Sequence, residues 1–252
     1  MLDAVRELAK IGGDSTLQYF GKNLKVESKD DDSPVTAADR NAEKLMRGWL
    51  ADKFPEHGII GEEYGVTNPD SNYQWVLDPI DGTRSFIHGI PLYTTLVGLM
   101  FKNKPVAGAI YAPVMNQLCS AAYGTGAFLN DEKVQVSECK DLSDAVFLTT
   151  DIQHILEFGH DKALAEMMKT VKMHRTWGDA YGHMMVASGR ADIMFDPVLS
   201  IWDAAALQPI MEEAGGVFAD IDGVKSIHSG NGFSTNENLL PGLVDLFRKE
   251  QD

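Results

Sequence analysis

The sequence predicts a mixed chain that begins as α+β and continues as α/β. Three observations carry this. Apolar residues recur at near-helical spacing in two N-terminal segments. Strand-like runs dominate from about residue 73 to 123. Beyond about residue 140, strands and helices alternate. The change of pattern divides the 252 residues into an N-terminal α+β half, 1–140, and a C-terminal α/β half, 141–252. A chain of this length holds one large domain, or two that share an interface.

In the first segment, 2–20, Leu2, Val5, Leu8, Ala9, Leu17 and Phe20 form the apolar stripe, with Gly12-Gly13 as a weak point. The charged connector Lys29-Asp30-Asp31-Asp32-Ser33-Pro34 reads as a loop that can reach over a site. A second helix over 36–54 has Leu45, Met46, Trp49, Leu50 and Phe54 on one face, and Thr36 with Asp39 fits a capping box at its start. Tyr73-Gln74-Trp75-Val76-Leu77 suits a buried strand, which Pro79 is expected to end because it lacks an N–H. Strands are expected at 92–101, 106–111 and 118–123, with Lys102-Asn103-Lys104-Pro105 as the first turn. The later half reads as a strand at 146–150, helices at 162–171 and 179–188, a strand at 193–195 and a helix at 203–214.

Composition narrows the function. A net charge of −15 argues against nucleic-acid binding, because phosphate backbones attract basic proteins. Cys119 and Cys139 are the two cysteines, too few for a disulfide framework or a thiolate zinc site. No stretch approaches the roughly 20 apolar residues of a membrane span, and the start lacks a signal-peptide pattern. These features lead to the expectation of a cytoplasmic protein.

The chemistry concentrates in Asp78-Pro79-Ile80-Asp81-Gly82-Thr83. Two carboxylates at a strand's end can face one cleft and hold a divalent cation. Gly82 and Thr83 lead into a short helix over Arg84-Ser85-Phe86-Ile87 whose first N–H groups point at an anion. The plain alternative is turn chemistry, for Asp-Gly is a common turn and an Asp before Gly-Thr a common cap. Two residues separate the acids, whereas phosphatases with an aspartyl nucleophile place one between theirs, so the spacing argues against a phospho-aspartate. Magnesium takes oxygen ligands, and carboxylates at Glu62, Asp78, Asp81 and Asp203 suit it.

Residues 78–86 resemble the first signature of the inositol monophosphatase superfamily. Ile201-Trp202-Asp203-Ala204-Ala205-Ala206 with Glu213-Ala214-Gly215-Gly216 resembles its second. Gly61-Glu62-Glu63 is similar to the family's metal-binding glutamate segment, and Val35-Thr36-Ala37-Ala38-Asp39 to its Thr-x-x-Asp element. The resemblance implies a layered α-β-α-β-α sandwich, a homodimer, and a site with two or three Mg²⁺ between the halves. It implies that Asp78 bridges two metals, that Glu62 and the Ile80 carbonyl complete the first site, and that Asp81 and Asp203 hold the second. Thr83, with Asp39 behind it, would orient or deprotonate water near Glu62, and the amides of Gly82 and Thr83 would hold phosphate. Glu63 reads equally as a solvated acid, Asp39 as a cap, and Asp203 as an N-cap after Trp202. His88 and His183 read as surface or packing residues.

The stretch His174-Arg175-Thr176-Trp177-Gly178-Asp179 and the continuation Leu207-Gln208-Pro209 look like the histidinol-phosphate phosphatase branch. Histidinol phosphate is cationic at its organic end, and a carboxylate there favours it by a charge-assisted hydrogen bond. Asp179 and Asp196 are the candidates, with Arg175 to orient an acid or meet substrate; capping by Asp179 and a turn at Asp196-Pro197 are the structural alternatives. Three expectations follow: a Mg²⁺-dependent histidinol-phosphate phosphatase of histidine synthesis, an inositol monophosphatase or other small phosphate-ester hydrolase, and, more remotely, a non-catalytic metal binder.

Overall fold

The computed structural model describes residues 1–22, 26–28 and 34–248. The helices are α1 Leu2–Thr16, α2 Ala37–Lys53, α3 Thr83–Ile87, α4 Ile152–Glu157, α5 Asp161–Thr170, α6 Asp179–Ala187, α7 Ile201–Glu213 and α8 Leu240–Arg248. The strands are β1 Glu27–Ser28, β2 Pro34–Val35, β3 Gly58–Gly61, β4 Gly65–Thr67, β5 Tyr73–Asp81, β6 Thr94–Phe101, β7 Lys104–Ala112 and β8 Gln117–Ala122. They continue as β9 Gly126–Leu129, β10 Glu132–Val134, β11 Val146–Thr149, β12 Met173–Arg175, β13 Ile193–Asp196, β14 Val217–Ala219 and β15 Gly232–Thr235. Residues 29–33 of the charged connector, expected to reach over the site, lie outside the described residues.

Two sheets organise the chain. The larger has eight strands in the order β10-β9-β8-β7-β6-β5-β3-β4, and the smaller has five, β12-β11-β13-β15-β14. Helices α1 and α2 cover one face of the larger sheet, where Val5, Leu8, Met46 and Leu50 pack on Trp75, Leu77, Val97 and Tyr111. Helices α6 and α7 fill the space between the sheets, with Met184, Ala205 and Ile210 in one core with Val76, Ile110 and Met194. On the outer face of the smaller sheet, α4, α5 and α8 bury Ile155, Leu164 and Phe247 against Phe147, Phe195 and Phe233. The result is the expected α-β-α-β-α sandwich. Each large side chain buried in these layers contributes roughly 1.5–3 kcal/mol.

Burial on both faces explains why β5 reads as a nearly continuous apolar run rather than an alternating one. Between the sheets, small residues decide the spacing. A Cβ on Gly98 would lie 2.8 Å from Ala205 Cβ, and one on Gly108 only 2.2 Å from the Ala206 carbonyl oxygen. Gly98, Gly108 and the alanines of α7 therefore let this helix lie directly on β6 and β7, which fixes where Asp203 stands.

Two sequence expectations change. Pro79 does not end β5, which runs on to Asp81; the register against β6 shifts between Asp78 and Asp81. That irregularity accommodates the residue with no N–H, while its carbonyl accepts a 2.8 Å hydrogen bond from Thr95 Oγ1. Helix α7 begins at Ile201 rather than Asp203, with Ser200 as its N-cap. Among the described residues no helix is long and apolar enough to cross a membrane.

Candidate active site

Asp78, Asp81 and Asp203 each offer a carboxylate oxygen, and the three oxygens lie within 4.8 Å of one another. Asp78 and Asp81 come from the irregular end of β5. Asp78 Oδ1 accepts from the Ile80 amide at 3.0 Å. Asp81 Oδ2 accepts from Thr94 Oγ1 at 3.1 Å and from the Ala180 amide at 2.6 Å, a bond that ties the larger sheet to the start of α6. Asp203 is the third residue of α7 and accepts from the Ser200 amide at 2.6 Å as part of a capping box. A carboxylate has two oxygens, so Asp203 serves the helix cap and the cluster together.

The acids raise one another, as like charges in a low-dielectric setting must. Burial, then the charges of Glu62, Asp81 and Asp203, hold Asp78 well above the usual carboxylate range. Burial pushes Asp81 up to about 6 against the opposing pull of the Ala180 amide. Asp203 is pushed up to about 8, first by burial and then by Asp81. A crowded set of oxygen donors whose charges repel is what a hard divalent cation relieves. The cluster fits such a metal.

Glu62 follows β3 directly. Its amide donates to the Leu77 carbonyl at 3.2 Å, and its side chain adds a charge and a hydrogen bond to Asp78. Fully buried Glu43 supports this turn, for its carboxylate accepts from the Glu63 amide at 2.7 Å and the Tyr64 amide at 3.2 Å while pairing with Arg47 at 2.7 Å. A side chain on Gly61 would overlap the Glu43 carboxylate, so only glycine fits before Glu62. Sequence reading missed Glu43, whose only signal was an acid on the apolar side of α2.

Thr83 and Asp39, both expected to act near Glu62, make separate hydrogen bonds, and the charge of Glu62 reaches Asp39. Thr83 Oγ1 donates to the Ile80 carbonyl at 2.9 Å. Asp39 Oδ2 instead accepts from the Thr36 amide at 2.8 Å and from Thr36 Oγ1 at 2.6 Å, closing the capping box of α2. Burial raises the Asp39 carboxyl. The capping alternative therefore describes its contacts.

A cavity of about 370 Å³ opens beside the cluster. Asp81, Gly82, Thr83 and Asp203 line it together with Asp179, Asp196, and Asp151 and His154 of the α4 region. Gly82 has φ 81°, and a Cβ there would meet Asp179 Oδ2 at 2.9 Å, so glycine lets Asp179 approach the motif. The N-cap of α6 is Gly178, so Asp179 is not that helix's cap. It has φ 51°, its amide donates to Thr150 Oγ1 at 2.7 Å, and burial followed by the charges of Asp81, Asp196 and Asp203 raises its carboxyl well above the usual range. Asp196 Oδ2 lies 3.1 Å from His183 Nε2. His183 is buried, which removes the surface reading, while His88 is exposed as expected. Arg175 is exposed and donates to the His174 carbonyl at 2.7 Å; the cavity lining includes its neighbour Thr176 but not Arg175 itself. It lies in the edge strand β12, paired with Leu148 of β11.

The inositol monophosphatase family model matches residues 1–252. The chain belongs to the inositol monophosphatase family. Among similar proteins of this family, a histidinol-phosphatase from Chlorobaculum parvum is 42% identical over 240 residues, covering 95% of this chain and 93% of that protein. An inositol-1-monophosphatase from Mesorhizobium japonicum is 33% identical, covering 99% and 96%. The crystal structure of extragenic suppressor protein suhB from Bartonella henselae superposes with a TM-score of 0.91 at 32% identity, covering 98% of each chain. Family membership accounts for the fold, and the family is metal-dependent, in keeping with an acid cluster that could hold a cation.

Proposed function

We propose that this chain is a Mg²⁺-dependent phosphomonoesterase that hydrolyses L-histidinol phosphate to L-histidinol and phosphate. The carrying observation is that Asp179 and Asp196 share one cavity with the acid cluster, so a phosphate bound at the cluster puts its organic group against two carboxylates. Such a wall favours an ammonium or imidazolium group over a neutral polyol. The similar histidinol-phosphatases support this choice. The breadth of the match to inositol-1-monophosphatases keeps inositol monophosphate as the second reading.

In this proposal Asp78, Asp81, Asp203, Glu62 and the Ile80 carbonyl hold two or three Mg²⁺. Bound there, the cations supply positive charge to the phosphoryl group and acidify water. Thr83, anchored on the Ile80 carbonyl, orients the attacking water, and Glu62 accepts its proton. Asp39 acts at one remove by fixing the start of α2. The amides of Gly82 and Thr83 hold the non-bridging phosphate oxygens. A phosphorus–oxygen bond forms to water, the ester bond breaks, and the alcohol departs with a proton. The enzyme is proposed to act as a cytoplasmic homodimer in histidine synthesis.

The test is kcat/KM for histidinol phosphate and inositol monophosphate, each with Mg²⁺ and with chelator. Mg²⁺-dependent preference for histidinol phosphate is expected. Preference for inositol monophosphate promotes the second reading, and no turnover of either favours a metal-binding protein without catalysis.

A further inference from the structure

His183 lies in α6, between the two sheets, and is only 1% exposed. Its Nε2 is 3.1 Å from Asp196 Oδ2 and its Nδ1 is 2.6 Å from Ser234 Oγ. A carboxylate oxygen accepts, so Nε2 donates to Asp196 and Nδ1 pairs with the Ser234 hydroxyl. Asp196 ends β13 and Ser234 stands on its antiparallel neighbour β15, opposite Met194. Phe218 meets the imidazole edge-on at 6.1 Å. One helix and two paired strands thus fix a single ring.

Serine, histidine and aspartate occur here in the order of a nucleophilic triad, yet the exposure is reversed. Ser234 is fully buried and has no access to substrate, while Asp196 is the member on the cavity wall. The chain of bonds therefore delivers a carboxylate, not a nucleophile. With Oδ2 held by His183, Oδ1 is the oxygen Asp196 can offer to a ligand, in one orientation.

We infer that His183, backed by Ser234, is a positioning residue that fixes the Asp196 carboxylate and thereby sets selectivity for the leaving group. The inference rests on the proposed reading in taking that group as cationic. A held acceptor discriminates by geometry as well as charge, whereas a swinging one can follow many ligands. Asp81, Gly82 and Thr83 make none of these hydrogen bonds, although the charges of Asp196 and His183 act on Asp81 with opposite sign.

The experiment compares histidinol phosphate, inositol monophosphate and p-nitrophenyl phosphate at saturating Mg²⁺ in wild type, His183→Gln, His183→Leu and Ser234→Ala. Glutamine carries an amide N–H near the position of His183 Nε2; leucine fills the space without a donor. His183→Leu is expected to raise KM for histidinol phosphate about tenfold, with a much smaller change in kcat. The kcat/KM for the aryl phosphate should fall less than about threefold, since its phosphate end is held elsewhere. His183→Gln should restore most of the loss, and Ser234→Ala should show a weaker loss of the same selective kind. Equal losses on the ester and the aryl phosphate overturn the inference, as does a His183→Leu protein with wild-type selectivity. If wild type prefers inositol monophosphate, the substrate reading fails by itself, and the same ratio taken with that ester still decides the role of His183. Should the leucine variant not fold, Ser234→Ala decides alone: a uniform loss, or none, overturns the inference.

Discussion

Removing the metals should make this protein progressively less stable as pH rises from 6 to 8. Asp203 is pushed from 3.8 to about 8 in the folded chain. A folded-state value above the unfolded one means the folded state binds more protons. The associated stability is present below the unfolded pKa and is lost as pH climbs to the folded one. For Asp203 that window runs from about pH 4 to 8, and the slope within it is about 1.4 kcal/mol per pH unit. Over pH 6 to 8 Asp203 alone loses on the order of 3 kcal/mol; Asp81, at about 6, has already given up most of its share, and the raised Asp78 and Asp179 add in the same direction. For a chain of this size that lowers Tm by about 6–12 °C. Mg²⁺ at 100 times its Kd restores about 2.7 kcal/mol. The assay is thermal unfolding of chelator-treated protein at several pH values, with and without Mg²⁺, in wild type and Asp203→Asn. The general acidity of the surface also weakens folding as pH rises, and it is common to both proteins; the flatter slope of Asp203→Asn isolates the cluster. A wild-type Tm that is level or rises from pH 6 to 8, or an equal slope in both proteins, refutes the reasoning.

Three further outcomes are expected. Asp78→Asn should keep the fold, by circular dichroism, and lose at least about 100-fold in kcat at saturating Mg²⁺, because the buried acid at the centre of the cluster is neutralised; near wild-type turnover would remove Asp78 from the centre. Asp179→Asn should cut kcat/KM for histidinol phosphate by about ten- to a hundredfold and leave inositol monophosphate nearly unchanged, which a two-substrate comparison reads directly. Lithium at limiting Mg²⁺ should slow turnover by taking one weakly held cation position, and a flat Li⁺ titration excludes that competition.

What the sequence made legible was local. The strand before Asp78, the capping box of Thr36 and Asp39, the short helix after Gly82 and the acids of the cluster all announce themselves within a few residues. What it hid depends on partners far along the chain. Pro79 looks like a strand end until the register shift against β6 is seen. Thr83 and Asp39 each carry a local hydrogen bond within their own turn that the spacing alone does not separate from a role at the site. Glu43 looks like an ordinary helical acid, because the turn it holds lies about 20 residues further on. His183 needs Ser234 and Asp196, which come from two strands, before it means anything. Short elements such as α4 and β12 left too little periodicity to read, although α4 contributes His154 to the cavity.

The hydrogen bond from the Ala180 amide to Asp81 joins positions 99 apart in sequence. This has a consequence for synthesis on the ribosome. When the segment through Asp81 has emerged, its two acids have neither the amide that steadies one of them nor the third acid from α7. The cluster comes into being only after about 200 residues have been made and the second sheet has docked. Cations can therefore reward the finished chain but cannot template its beginning, and a chain truncated before Asp203 has no complete cradle to keep. A cation that needs all three acids is then expected to load late, once Asp203 has joined Asp78 and Asp81.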